Sequence, residues 1–507
     1  MKQLDQKNIL VLGLGASGLA LARWCVRCGA QVTVADTRPA PPQLQALQSA
    51  VPAATFVSAE MTDALLATSA YDLVLKSPGL SPASVAGVIR AAEAQGIACG
   101  NELSLFAQAL ADLKEKRGYA PQVIAITGTN GKTTVTSLTG QLVQRAGKSV
   151  AVAGNIGPTL LDTLMEMLDE KRESADVDAV PGLPEVWVLE LSSFQLDRVT
   201  NFEPTVATVL NVTQDHMDWH ETVAAYSGAK ARVYGSAGLM LLNRDDALVM
   251  AALPPLVKGK QLRAYLTFGG DEPQRPGDYG IETVNGMAWL VRAALADETI
   301  KRRKDEEVVL HIQRLMPLDA LRIHGRHNAT NALAALGLAL AAGCALAPML
   351  HGLREYRGEP HRVESVAVVN EVEYFDDSKG TNVGATAAAL AGLGSDRKLV
   401  LILGGEGKGQ DFSLLAGPVS RYARAVVLIG RDAGLIRAAL QDSHVPLLDA
   451  ASMQEAVSVA AQQARGGDAV LMSPACASFD MFENYEHRAR VFCEAVQALG
   501  HEQGAVL

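Results

Sequence analysis

The sequence predicts an α/β fold with three domains and mainly parallel sheets. Strand-like and helix-like segments alternate over most of the 507 residues, which is typical of parallel sheets covered by helices. A chain of this length is also too long for one hydrophobic core. Glycine-rich turns between a strand and a helix begin at Gly13 and Gly128. We predict a Rossmann-like N-terminal domain over 1–99, a central domain of the P-loop ATPase type with a parallel sheet over 100–357, and a Rossmann-like C-terminal domain over 358–507.

Composition limits the class of partner and the compartment. The net charge of −10 provides no positive surface of the kind that binds nucleic acid or anionic membranes, so neither is expected as a partner. The N-terminus MKQLDQKNILVLG lacks the layout of a signal peptide, and the six scattered cysteines are typical of reduced thiols, so we expect a cytoplasmic protein. The apolar stretch from Asn331 to Leu350 contains Gly343 and Pro348, which favours a buried helix over a membrane-spanning one.

The N-terminal segment NILVLGLGASG predicts a nucleotide site. A strand from Asn8 to Leu12 leads into Gly13-x-Gly15-x-x-Gly18, and Asp36 ends the next strand, QVTVAD. This order matches the dinucleotide fingerprint, in which the glycines admit a pyrophosphate and the acid holds a ribose. The pattern indicates a nucleotide without identifying nicotinamide, and a tight turn with no ligand remains an alternative.

A second glycine-rich segment, GTNGKTT, follows the predicted strand Val123 to Ile126. The usual phosphate-loop spacing G-x-x-x-x-G-K-[ST] needs a glycine at position 126, where Ile126 stands. The remaining parts suit a triphosphate: glycines that let backbone N–H groups converge, a lysine for the β- and γ-phosphates, and a threonine hydroxyl for Mg²⁺. The residues predicted to contact the phosphates are Gly128, Thr129, Asn130, Gly131, Lys132, Thr133 and Thr134.

Polar residues further along the chain are candidates for a metal site. Glu190 ends the predicted strand WVL, and a carboxylate at a strand end suits Mg²⁺. Asp215 and His216 follow another strand, although a lone histidine is more often structural. Lys230 lies on a predicted helix, AYSGAKARVY, and composition alone favours a solvated surface lysine there. In the C-terminal third, strands are predicted to end before Asp376, Gly404, Gly430 and Ser473, where ligands of an α/β sheet bind.

Several segments resemble those of one enzyme family. The segments GTNGKTT, AGNIG, LELSSFQL, NVTQDHMD, AYSGAKARVY and GRHNATNALAA resemble, in the same order, motifs of the Mur ligases. These are ATP-dependent amide ligases that build the peptide stem of peptidoglycan. The resemblance covers nearly the whole chain and is interrupted at two charged insertions, 169–185 and 300–307. The C-terminal motifs HRVE, DDSKGTN, GGEGKGQDF and SPACASFDMFENYEHRA are similar to those of members that add D-glutamate to UDP-N-acetylmuramoyl-L-alanine.

The resemblance implies a set of roles. Catalysis would depend on Lys132, Glu190, His216 and Lys230, and two Mg²⁺ ions would be bound by Thr133, Glu190, His216 and Lys230, the last as a carbamylated lysine. ATP would also contact Asn328, Asn331, Arg362 and Asp377. The uridine nucleotide would bind Ser17, Asp36, Thr37, Arg38, Ser77 and Gly79, and its muramoyl part Asn155. D-Glutamate would bind Lys379, Thr381, Lys408, Ser478 and Tyr485.

We expect the ligase to be a monomer, and other functions remain open at this point. A sister ligase with a different amino acid, such as a folylpolyglutamate-type enzyme, would share most of these motifs. An NAD oxidoreductase would explain GLGASG and Asp36 but would leave Lys132, Glu190 and Lys230 without a role. A non-catalytic nucleotide-binding module would bind the ligands without turning them over.

Overall fold

A computed structural model of the chain describes residues 4–169, 182–296, 309–323, 325–394 and 397–503. These residues form three sheets with helices between most consecutive strands. By their contacts they divide into two compact units, one made of Met1–Val212, His216–Thr267 and Ala334–Met349, the other of Thr213–Asp215, Phe268–Leu333 and Leu350–Leu507. The α/β class with three domains and parallel-dominated sheets is confirmed, because each predicted domain has a sheet of its own.

The N-terminal sheet has five parallel strands. They are β1 Asn8–Leu12, β2 Gln31–Asp36, β3 Thr55–Ser58, β4 Leu73–Lys76 and β5 Ala98–Gly100, with helices α1 Ala16–Arg27, α2 Leu44–Ala50 and α3 Pro82–Ala94 and a 3-10 helix Asp63–Ala67. The order β3-β2-β1-β4-β5 reverses direction between β1 and β4. Ligands of such sheets bind beyond the strand ends at this reversal.

The glycine-rich turn after β1 is closed by backbone packing. A Cβ added at Gly18 would lie 2.0 Å from the carbonyl oxygen of Gly13, so no larger residue fits where α1 approaches the strand end. The apolar residues of β1 are completely buried beneath this turn. The sheet therefore fixes the turn at its carboxyl edge, as the fingerprint predicts.

The central sheet has nine strands in the described part of the chain. They are β6 Gln122–Thr127, β7 Val150–Gly154, β8 Val186–Glu190, β9 Val206–Val209, β10 Leu239–Asn243, β11 Tyr265–Phe268, β12 Tyr279–Val284, β13 Met287–Leu295 and β14 Leu310–Pro317. The helices are α4 Glu102–Arg117, α5 Lys132–Arg145, α6 Leu160–Asp169, α7 Met217–His220, α8 Val223–Ala231, α9 Ala247–Met250, α10 Arg326–Ala341 and α11 Leu346–Glu355, with 3-10 helices Arg232–Tyr234 and Leu318–Ala320.

Two features of this region differ from the sequence prediction. The sheet, ordered β14-β13-β12-β11-β10-β9-β6-β8-β7, is not parallel throughout, because β12, β13 and β14 pair antiparallel. The stretch from Asn331 to Leu350 is not one helix. Gly343, with φ of +80°, lies between the end of α10 and the start of α11. Among the described residues no helix is both long and apolar enough to span a membrane.

The C-terminal sheet has six strands among the described residues. They are β15 Glu364–Val369, β16 Val372–Asp376, β17 Leu399–Gly404, β18 Ala423–Ile429, β19 Leu447–Asp449 and β20 Ala469–Met472. The helices are α12 Val383–Gly394, α13 Ala416–Tyr422, α14 Ala433–Leu440, α15 Met453–Gln463 and α16 Tyr485–Glu502, with 3-10 helices Phe412–Leu415 and Gln441–Ser443. The order is β15-β16-β20-β17-β18-β19, with β15 antiparallel to β16. The four predicted strand ends agree with the structure to within one residue.

Of the two charged insertions, most of the first and all of the second (residues 170–181 and 300–307) lie outside the described residues.

Candidate active site

The loop between β6 and α5 has the backbone of a phosphate-binding turn. Gly131 caps α5 with φ of +82°, and Gly128 has φ of +157°. A Cβ at Gly128 would lie 2.9 Å from Cβ of Leu210, so a side chain would push the loop away from β9. The first N–H groups of a helix point out of its N-terminus, and α5 begins with Lys132 and Thr133. The loop can therefore present backbone donors to an anion despite Ile126.

Asn211, which the sequence reasoning did not select, holds this loop in place. Its backbone oxygen accepts from the N–H of Thr129 at 2.9 Å, and its Oδ1 accepts from the N–H of Asn130 at 2.8 Å. Its Nδ2 donates to the Asn130 oxygen at 3.1 Å. Thr129 and Asn130 thus use their backbone N–H groups within the protein. A residue that braces a loop through backbone atoms has no sequence pattern of its own, although Asn211 lies in the quoted NVTQDHMD segment.

Two lysines meet at one carbonyl oxygen of the loop. Lys132 Nζ donates to the oxygens of Gly128 at 2.8 Å and Thr129 at 2.9 Å. Lys230 Nζ donates to the same Gly128 oxygen, also at 2.8 Å. Lys230 is 1% exposed and lies 4.4 Å from the ring centre of Tyr226, so the composition-based expectation of a solvated lysine is wrong. A lysine is seldom buried without a specific partner or role.

Glu190, at the end of β8, has one oxygen occupied and one without a partner. Its side chain is 1% exposed, and Oε1 accepts from Asn155 Nδ2 at 2.7 Å. Oε2 is buried and has no hydrogen-bond partner among the described residues. A buried carboxylate oxygen without a partner is costly and is suited to a cation. The structure thus brings two predicted site residues, Asn155 and Glu190, into direct contact.

An aromatic cluster surrounds His216, which lies between β9 and α7. His216 and Trp219 lie 4.8 and 4.7 Å from Phe194, measured between ring centres. His220 Nε2 lies 2.9 Å from Ser193 Oγ. Burial lowers the pKa of His220 to about 4, with the charges of His216 and Lys230 acting in the same direction. His220 is therefore neutral near pH 7.

The N-terminal candidates line the carboxyl ends of β1, β2 and β4. Asp36 is 3% exposed and accepts from the N–H of Leu14 at 2.8 Å and from the backbone and guanidinium of Arg38 at 2.8–2.9 Å. These contacts, chiefly the Arg38 side chain, lower the pKa of Asp36 to about 2. Asp36 therefore joins the glycine turn to Arg38. Ser77 is buried, whereas Thr37 and Gly79 are exposed and Ser17 is half-buried.

The second unit holds the remaining ATP candidates. Asp377 follows β16 and is 6% exposed, and its Oδ2 accepts from Ser473 Oγ at 2.6 Å. Burial raises the pKa of Asp377 to about 7, opposed by the Ser473 hydrogen bond and by the charge of Arg362. Asn331 Nδ2 donates to Asn328 Oδ1 at 3.1 Å on the first turns of α10.

The C-terminal motifs form a network near Lys379. Its Nζ lies 3.6 Å from the ring centre of Tyr485, and its backbone N–H donates to the oxygen of His361. His361 Nδ1 lies 2.7 Å from Oδ2 of the fully buried Asp376. Thr381 lies two residues before α12, and its N–H donates to the Lys379 oxygen at 2.9 Å.

The motifs GGEGKGQDF and SPACASFD lie side by side. Glu406 and Ala477 exchange backbone hydrogen bonds of 2.9 Å, which places the loop of Lys408 beside that of Ser478. Lys408 is exposed and Ser478 buried. Arg488, a residue given no role by the sequence reasoning, is fully buried and donates to the oxygens of Ser378 at 2.8 Å and Cys476 at 3.1 Å.

Three family models match successive parts of the chain. The match to "Mur ligase MurD-like, N-terminal domain" covers residues 7–100, that to "Mur ligase middle domain" covers 126–339, and that to "Mur ligase, glutamate ligase domain" covers 361–476. The chain belongs to the Mur ligase family.

Similar proteins agree with this assignment. This Mur ligase is 62% identical to the UDP-N-acetylmuramoylalanine--D-glutamate ligase of Polaromonas sp. (strain JS666 / ATCC BAA-500), with all of both chains covered. It is 66% identical to the enzyme of that name from Albidiferax ferrireducens, over 100% of this chain and 99% of the relative. The crystal structure of MurF ligase from Thermotoga maritima in complex with ADP has a similar fold, with a TM-score of 0.55 at 14% identity, covering 98% of this chain and 97% of the other.

Proposed function

We propose that this Mur ligase uses ATP to join D-glutamate to UDP-N-acetylmuramoyl-L-alanine, a step of peptidoglycan precursor synthesis. The observation that carries the proposal is identity of 62 and 66%, over the full chain, to relatives named for this reaction. The site geometry agrees, because a phosphate loop, a buried carboxylate and a buried lysine lie in one unit.

We propose that this donor set holds Mg²⁺, as two ions. Mg²⁺ prefers oxygen ligands, and the partnerless Oε2 of Glu190 supplies one in a buried position. Thr133 would add its hydroxyl, and His216 a ring nitrogen. Bound Mg²⁺ would offset the negative charge of the phosphates.

We propose that Lys230 binds the metal as a carbamate. An ammonium group would repel Mg²⁺, whereas a carbamate formed with CO₂ offers carboxylate-like oxygens. The burial of Lys230 at 1% exposure beside the phosphate loop supports this role, and the one N–H that a carbamate nitrogen keeps can still be donated to the Gly128 oxygen.

The proposed reaction has two steps. An oxygen of the L-alanine carboxylate would attack the γ-phosphorus of ATP, the bond to the bridging oxygen of ADP would break, and an acyl phosphate would form. The amine of D-glutamate would then attack the acyl carbon, lose a proton and release inorganic phosphate. Lys132 would leave the oxygens of Gly128 and Thr129 to neutralise charge on the transferring group.

The binding roles of the other candidates are proposed on the same basis. Thr129 and Asn130 would shape the phosphate loop, and Thr134 would support its helix. Asn328, Asn331, Arg362 and Asp377 would hold ATP. Ser17, Asp36, Thr37, Arg38, Ser77 and Gly79 would hold the uridine nucleotide, and Asn155 the muramoyl part. Lys379, Thr381, Lys408, Ser478 and Tyr485 would hold D-glutamate, whose two carboxylates need cations.

We further propose a cytoplasmic monomer with domains at 1–99, 100–357 and 358–507. Gel filtration with light scattering would test the oligomeric state, and cell fractionation the compartment.

One experiment tests the reaction directly. Phosphate release is measured with UDP-N-acetylmuramoyl-L-alanine carrying ¹⁸O in its carboxylate, with ATP, and with D-glutamate supplied or withheld. We expect turnover that depends on D-glutamate and the appearance of ¹⁸O in the released phosphate. Turnover with another amino acid in place of D-glutamate would instead favour a sister ligase.

A further inference from the structure

One buried lysine lies outside all the motifs that define the site. Lys76 is the last residue of β4 and is 6% exposed. It immediately precedes Ser77, the first residue of the loop Ser77–Gly79 that is proposed to hold the uridine nucleotide. Lysine is rarely buried in a sheet unless its ammonium group has partners, so the partners of Lys76 are informative.

The partners of Lys76 come from the central region of the same compact unit. Its Nζ donates to Asp197 Oδ2 at 3.2 Å and lies 4.7 Å from the ring centre of Trp219, a cation–π distance. Trp219 lies three residues after His216, in α7. Lys76 thus connects the end of an N-terminal strand to the segment that begins with a proposed metal ligand.

Asp197 is shared with a second cation. Its Oδ1 lies 3.3 Å from Arg232 Nη1, and Arg232 is two residues after Lys230. Its backbone oxygen accepts from Asn101 Nδ2 at 2.8 Å, which fixes the position of the residue. One carboxylate faces two cations here, so its single negative charge does not neutralise both Lys76 and Arg232. Burial lowers the pKa of Lys76, with Asp197 opposing this effect. A nearby anion would therefore be stabilising.

We propose that Lys76 is a positioning residue for the uridine-linked substrate, and that its contacts with Asp197 and Trp219 fix the loop Ser77–Gly79 relative to His216 and Lys230. This inference rests on the proposed function and extends it. A diphosphate bound at the loop would be attracted by the positive charge, and the acyl end of the same molecule would be held toward the phosphate loop. Misplacement of a reacting group by about 1 Å can cost about a hundredfold in rate.

The test uses the full-length protein and three variants. Lys76→Met keeps an unbranched stem and removes the charge, and Lys76→Arg keeps the charge. Lys116→Met is the matched control, because Lys116 also pairs with an aspartate, Asp112, but is half exposed and lies on α4. The Kd of UDP is measured by isothermal titration calorimetry. The kcat, the KM for each of the three substrates and the Tm are measured in parallel.

We expect Lys76→Met to raise the Kd of UDP and the KM for the uridine substrate by about tenfold, because a charge that attracts the diphosphate is lost. The kcat should fall by up to about a hundredfold, because the acyl end is misplaced, while the KM values for ATP and D-glutamate stay unchanged. Lys76→Arg should recover most of the affinity, and Lys116→Met should match the wild type. Unchanged UDP affinity in Lys76→Met would overturn the inference. Equal increases in all three KM values together with a lower Tm would overturn it too, because they would indicate a purely structural role.

A second variant covers the case in which Lys76→Met does not fold. Trp219→Leu removes the ring contact and leaves the ion pair of Lys76 with Asp197 intact. Trp219→Leu should raise the KM for the uridine substrate and the Kd of UDP, as Lys76→Met does. Unchanged values would refute the proposal. The UDP titration needs no turnover. Lys76-dependent UDP binding in a protein that does not use D-glutamate would therefore contradict the proposed function and support this inference.

Discussion

Asp377 should make the stability of the protein fall as the pH rises toward neutrality. Burial raises its pKa from the ordinary 3.8 to about 7. Between these values the folded protein holds a proton on Asp377 that the unfolded chain has lost, so the stabilisation is full below pH 3.8 and disappears as the pH passes 7. Since one pKa unit corresponds to about 1.36 kcal/mol, the difference between a pKa of 3.8 and one of about 7 amounts to about 4 kcal/mol of unfolding free energy. The asparagine of Asp377→Asn does not titrate, so the unfolding free energy of this variant should not fall over the same pH range.

The assay is urea denaturation, followed by circular dichroism, of the wild type and Asp377→Asn between pH 5 and pH 8.5. The variant should gain stability relative to the wild type by about 1.4 kcal/mol per pH unit, and the gain should level off above pH 7.5. Asp411→Asn is the control. Hydrogen bonds from Ser413 lower the pKa of Asp411, so the stability that this carboxylate contributes is lost only in acid. The stability curve of Asp411→Asn should therefore run parallel to that of the wild type above pH 5. Parallel curves for the wild type and Asp377→Asn over the whole range would refute the reasoning.

Three further variants test the phosphate loop and its supports. Lys132→Met should reduce D-glutamate-dependent ADP release by about 10²–10³-fold without unfolding, and near-normal turnover would remove Lys132 from the mechanism. Lys230→Ala should be nearly inactive in the same assay and partly recover with added acetate; full activity without acetate would exclude the carbamate. Asn211→Ala should raise the KM for ATP and lower the unfolding free energy by about 1–3 kcal/mol, because it releases the backbone of Asn130. Asn243→Ala, which frees the neighbouring Leu210 oxygen, should leave the KM for ATP unchanged.

The sequence predicted features that depend on local backbone chemistry. The strand Asn8–Leu12 was predicted with its observed bounds, because an apolar run between polar residues and a glycine turn leaves little choice. The phosphate loop was predicted in spite of Ile126, because Gly128, Gly131 and Lys132 retain the conformations and charge that an anion needs.

Features that depend on distant partners were not predicted from local patterns. Composition favoured an exposed Lys230, whereas the loop oxygen of Gly128, 102 positions away in sequence, allows its burial. Asn211 and Arg488 act on backbone atoms, which every residue carries, so nothing in the sequence marks their targets. The antiparallel pair β12–β13 is a different case, because its two-residue turn Asn285–Gly286, with φ of +50° and +79°, is a local hairpin signal that the sequence analysis did not use.

The buried guanidinium of Arg488 ties the last helix to the loops of Ser378 and Cys476, beside the proposed D-glutamate site, so we expect this helix to be needed for amino-acid binding. Every residue proposed to hold D-glutamate lies at or before Tyr485, so a protein cut just after that position would keep all of them. It would lose the bracing of Ser378 and Cys476, whose carbonyl oxygens would be left without this donor. Cleavage just after Tyr485 should therefore abolish activity although every residue proposed to hold D-glutamate stays in the chain, because it removes Arg488 together with the buried Phe492 and Val496 of the last helix.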